Sequence, residues 1–110
     1  MLRLLLLKQL HFEIMKVSES IVNNLLNEVD SLTYRVRVIK QCYKTTSNKR
    51  LIERLINENK KIFERIMNIN KVSKIIMKRS NEKITLSALL EERSRRSLNE
   101  IKTENRLFLL

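Results

Sequence analysis

The chain has 110 residues, a net charge of +11, and neither glycine nor proline. Tight turns are built mainly from Gly, Pro, Asn and Asp, so α/β and all-β folds are excluded and long helices are expected. With one cysteine, one histidine and no tryptophan, there is no basis for a disulfide within the chain, a Cys/His metal cluster or a large aromatic core.

The start, MLRLLLLK, is too short to span a bilayer. It lacks a small-residue cleavage site, and it reads as an amphipathic lead-in to a helix over about residues 8–44. Phe12 and Met15 open an apolar face, and Ser18 fits either a cap or a polar seam position. His11 has no second histidine with which to build a metal site or catalytic pair.

From Val22 the pattern sharpens. Val22, Leu25, Val29, Leu32, Val36, Ile39 and Tyr43 are spaced alternately three and four apart. This is an a/d heptad seam, which keeps one narrow apolar stripe turned toward a second helix, from this chain or another. Cys42 falls at g, beside the seam, where a partly packed thiol is expected. A lone thiol suits a reducing, cytoplasmic setting.

At 45–48 the sequence TTSN is polar and ends in two good N-cap types. The seam changes phase across it, since continuing the first heptad would put Arg50 at a. The break reads as a skip in the coil or a hinge; the skip is favoured, with helix continuing on both sides. The second seam has Ile52, Asn59, Ile66 and Ser73 at a and Leu55, Ile62, Ile69 and Ile76 at d. A buried Asn59 would fix register and partner number at a cost in stability; the other reading is a weak, mobile turn.

Residues 80–83, SNEK, form a second polar break with an N-cap signature. The last segment carries Ile84, Leu86, Leu89, Leu90, Leu98 and Ile101, with its seam interrupted from Arg93 to Ser97. The ending RLFLL suggests that the helix continues in a longer form or is covered by a partner. Four segments result: 1–44, 45–48, 49–79 and 80–110.

Charge is uneven along these segments. Residues 45–83 carry eleven Lys/Arg against four Asp/Glu, whereas residues 1–44 carry seven against four. A basic balance of this kind suits acidic proteins, anionic lipid or nucleic acid without choosing among them. A basic zipper would place a dense basic region before its leucine seam. Here the stronger seam comes first, and aromatics for base stacking are missing. No catalytic constellation and no glycine-rich phosphate loop occurs, so neither an enzyme nor a cofactor or metal is expected.

Several stretches together resemble the intraflagellar transport protein 20 family, small coiled-coil subunits of the ciliary IFT-B complex. LHFE at 10–13 is similar to that family's leucine–aromatic–acid opening. IKQCYK at 39–44 looks like its Ile-x-x-Phe-x-Lys segment, with Cys42 where phenylalanine is usual. LIERL at 51–55 is similar to a Leu-Val-Asp-x-Leu run, and Ile66 and Asn70 fall at matching spacing. LSALLEERSRRSLNEIKTEN at 86–105 looks like the family's C-terminal helix with one extra residue. A glycine expected within the segment matching Met67 to Asn70, an early proline and an acidic-to-apolar tail are absent.

The resemblance implies a non-enzymatic subunit that works between the Golgi, the ciliary base and the cilium. It also implies that the second seam and residues 86–105 pair with a coiled-coil region of intraflagellar transport protein 54. The expectation as a whole is an all-α, elongated coiled coil of long helices, not a compact globular domain. Its seam residues, including Leu86 and Leu90, would bind a helix of another protein. Net charge favours an acidic partner over self-pairing. The alternatives are a basic coiled coil that binds nucleic acid and a generic homodimeric scaffold.

Overall fold

The structure, a computed structural model, describes the backbone of residues 2–79 and 85–104, and side chains over 19–78 and 86–103. Apart from the turn at 46–48, the described chain is helical: α1 (Leu2–Thr45), α2 (Lys49–Arg79) and α3 (Thr85–Glu104). The break at 80–83, its N-cap signature, Ile84 and the terminal RLFLL lie outside the described residues. So do the side chains of His11, Phe12, Met15 and Ser18, although α1 runs through Ser18 without interruption, which rules out a cap there.

Each helix packs against both others. Arg35 pairs with Glu58, and Glu28 with Arg65. Seven residues forward on α1 is therefore seven back on α2, and the two helices are antiparallel. Asp30 pairs with Arg93 and Arg37 with Glu100, both steps forward, so α1 and α3 are parallel. The result is an up-down-up three-helix bundle, elongated at 70 × 20 × 16 Å. A single unbroken helix of this length would reach about 165 Å at ~1.5 Å per residue.

The continuous coil expected across 45–48 is thus replaced by a hairpin. Without glycine, the reversal is made by side chains. The Thr46 amide closes the last turn of α1 on the Cys42 carbonyl at 3.0 Å. The Thr46 hydroxyl accepts from the Asn48 amide at 3.2 Å. Asn48 Oδ1 then accepts from the amides of Arg50 and Leu51 at 3.1 and 3.3 Å, an N-cap that satisfies two otherwise orphaned donors of α2. No described residue has a positive φ, so the turn needs no left-handed residue. The phase change at Arg50 reflects this change of direction, not a skip.

Two apolar clusters fill the axis. One gathers Val36, Ile39, Leu55, Ile62, Ile66 and Ile101; the other gathers Val22, Leu26, Val29, Ile69 and Leu90. Leu25, Leu32, Tyr43, Ile76 and Leu86 pack against them partly buried, and Ile52 is half-buried. Leu26 joins because a helix facing two neighbours needs a wider stripe than a two-stranded seam does.

Candidate functional site: seam, rim and outer face

The residues expected to hold a helix of another protein form this chain's own core. Val22, Val29, Val36 and Ile39 of α1, with Leu55, Ile62, Ile66 and Ile69 of α2, are buried against one another and α3. The heptad pattern asked for a partner helix, and the hairpin supplies it within the chain. Within this chain these positions are covered by its own helices, so another helix reaches them only if the bundle opens.

In α3 the interruption read at Arg93 to Ser97 is filled by serines. Ser87, Leu90, Ser94, Ser97 and Ile101 are all buried at alternating spacings of three and four. The small side chains let α3 lie close to its neighbours, and their hydroxyls are used. Ser97 Oγ and Thr33 Oγ1 share a hydrogen bond of 2.6 Å between α3 and α1. Asn70 Nδ2 donates to Ser94 Oγ at 2.8 Å and to the Glu91 carbonyl at 3.3 Å, tying α2 to α3. A search for leucines alone passes over such a seam. The 3-4-3-4 spacing of the serines with Leu90 and Ile101 was the available signal.

Asn59 is fully buried at its a position, and α2 is unbroken through it. The mobile-turn reading therefore does not hold. Among the described residues neither its Oδ1 nor its Nδ2 has a hydrogen-bond partner, and Ser87 Oγ is in the same situation.

Around the core, charge sets alignment. Arg35 donates to Glu58 through Nε and Nη2 at 2.5 and 3.0 Å. Arg65 reaches Glu28 in the same forked way at 2.6 and 2.9 Å, as does Arg37 with Glu100 at 2.9 and 3.2 Å. The hydrogen bond from Arg65 holds the Glu28 carboxyl below its ordinary range, and Arg35 does the same to Glu58. Both guanidinium groups are correspondingly raised. Glu91 and Glu92 face Arg95 and Arg96 one turn on within α3. The small Arg93–Arg95–Arg96 cluster is thus neutralised locally, with Arg93 held by Asp30.

The outer face of α2 is different. Lys60, Lys61, Lys71, Lys74 and Lys78 are all exposed. From Ile66 to Arg79 the helix contains no acidic residue. Among the described residues no group of His, Cys, Asp and Glu is placed to hold a metal ion. None of their helices is long and apolar enough to cross a membrane. Cys42 is a half-buried free thiol packed beside the first cluster.

The fold defines a class, an all-α three-helix bundle with charged rims. No family model, curated protein or solved structure matches the chain.

Proposed function

We propose that this chain is a non-enzymatic helical adaptor that joins a larger assembly by pairing with a helix of another protein. The observation that carries this reading is the length of α1. In the register of the ion pairs, Arg79 at the end of α2 falls opposite residue 14 of α1, and Thr85 at the start of α3 falls opposite Val22. Among the described residues, neither helix stands opposite residues 2–13, a stretch of about 18 Å at ~1.5 Å per residue. Six of those twelve residues are leucine. A helix with that content needs apolar cover, and a partner helix supplies it.

The resemblance to the intraflagellar transport protein 20 family gives one concrete form of the reading, a subunit in transport between Golgi and cilium. Its partner would be the coiled coil of intraflagellar transport protein 54. In that form the second seam and residues 86–105 do the pairing. Because Ile62, Ile66, Leu90 and Ile101 lie in the core, binding there has to be coupled to opening of the bundle. A coiled-coil fragment of that partner should then raise amide exchange across α3.

The exposed lysines of α2 favour a second reading, a basic surface for nucleic acid. It expects binding that weakens steeply with salt.

The adaptor reading is tested by gentle affinity isolation of the tagged chain from its native cells. A stoichiometric helical partner is expected, and it should be lost on deletion of residues 2–13 while the circular dichroism of the bundle persists. Recovery of the chain alone, or with nucleic acid removable by nuclease, would overturn it.

A further inference from the structure

One rim of the bundle changes character along its length. Residues at g on α1 meet residues at g on α2, and this ladder carries Arg35–Glu58 and Glu28–Arg65 at its centre. One further step of seven places Ile21 opposite Val72. Beyond the two central ion pairs this rung has two aliphatic side chains, 48% and 42% exposed. Ile75, one turn on from Val72, is 52% exposed. Lys71 and Lys78 stand one turn to either side of Ile75, both exposed. No acidic residue occurs on α2 between Ile66 and Arg79 to offset them.

Exposed aliphatic side chains are uncovered at a cost, and here they share one edge with Lys71 and Lys78, which make no ion pair among the described residues. We propose that the Ile21–Val72–Ile75 edge, flanked by Lys71 and Lys78, is a docking strip for an acidic amphipathic helix of another protein. Leucine or isoleucine on that helix would cover the three aliphatic side chains, and its flanking glutamates would meet the lysines, as e and g charges do in a coiled coil. Charge selects this occupant. A second copy of the chain would bring lysine against lysine. A phosphate backbone would use the lysines and leave the aliphatic edge uncovered. The strip lies at the end of the bundle where α1 runs on past α2, so one partner helix can follow α1 from the rim onto residues 2–13. This inference rests on the adaptor reading and assigns it a face and a partner chemistry.

The test uses the full chain and three probes. They are a helical peptide of about 28 residues, roughly 42 Å long, with leucine at a and d and glutamate at e and g; phosphatidylserine-containing vesicles; and a DNA duplex of about 20 base pairs, roughly 68 Å long. The peptide is expected to bind. Val72→Glu with Ile75→Glu, and separately Lys71→Glu with Lys78→Glu, should each weaken it about tenfold or more, the second pair with a shallower salt dependence. Lys60→Glu with Lys61→Glu, higher on the same helix, should change it less than about twofold. These positions are exposed, and unchanged circular dichroism verifies folding of every variant. Peptide binding indifferent to the Val72 and Ile75 changes would overturn the strip, as would vesicles or DNA binding in preference to the peptide. If the peptide fails to bind while a native partner is still recovered, the strip falls and the adaptor reading stands. If no partner is recovered either, both fall.

Discussion

Replacing Asn59 with valine should make this protein more stable. Asn59 is fully buried in the middle of α2, and neither polar atom of its amide has a partner among the described residues. Burying an unpaired amide costs about 1–3 kcal/mol on the scale of protein mutational data. Valine is closer to asparagine in volume than leucine is, so it avoids the overpacking that leucine risks, and its helix propensity is close to that of asparagine. A net gain of about 2 kcal/mol is expected. In urea, with a slope of about 1–3 kcal/mol per molar, the midpoint should rise by roughly 1 M at an unchanged slope. Equilibrium unfolding followed by circular dichroism at 222 nm reads this directly. Asn59→Asp, which buries a charge at the same place, should move the midpoint the other way by a larger amount. A midpoint for Asn59→Val that is unchanged or lower would refute the reasoning, because it would mean that the amide is paired in the folded chain. If Asn59 also fixes helix register, the valine variant should gain stability while its amide NMR spectrum doubles, as polar a positions do in coiled coils.

Acid should loosen the α1–α2 rim. The carboxyls of Glu28 and Glu58 are lowered in the folded chain by their arginine hydrogen bonds. Their stabilisation is therefore complete above the unfolded value of about 4.3 and is lost as pH falls through the lower folded values. Both pairs are well exposed, so each is worth only about 0.2–1 kcal/mol. The double variant Glu28→Gln, Glu58→Gln should show a flatter urea midpoint between pH 7 and pH 3, and equal slopes in variant and parent would contradict it. Ser94→Leu should lose about 1–3 kcal/mol by forcing α3 away from α2, whereas Ser87→Ala, whose hydroxyl has no partner among the described residues, should stay within about 0.5 kcal/mol; thermal melts that rank them in reverse would sink the close-packing account. Ile66→Ala should cost about 2–5 kcal/mol and Ile62→Asp should abolish the helical signal of the isolated chain. A helical Ile62→Asp chain that merely loses a partner would mean that the seam faces outward after all.

Much of this architecture was legible before any coordinates. Absence of glycine and proline together with 3-4 spacing specifies helices, because period and propensity are local properties of the chain. Val22 to Tyr43 and Ile52 to Ile76 are read as helical seams on that basis, and Ser47 and Asn48 as cap types, of which Asn48 caps α2. The same logic puts Asn59 at an a position but leaves open whether it is buried there or marks a weak turn; its full burial comes from the packing.

What sequence alone could not decide was the source of each helix's partner. A heptad looks the same whether its complement lies in a second chain or past a three-residue turn. That choice depends on long-range pairs such as Glu28 with Arg65 and Arg35 with Glu58, which acquire meaning only when α2 runs antiparallel to α1. Serine carries no hydrophobic signal, so the α3 seam through Ser87, Ser94 and Ser97 became a seam only once two other helices left it no room for larger side chains. The exposed Ile21 and Val72 are ordinary aliphatic residues in sequence. Only the tertiary register sets them on one rung beside the Glu28–Arg65 and Arg35–Glu58 pairs, and local periodicity holds no information about that register.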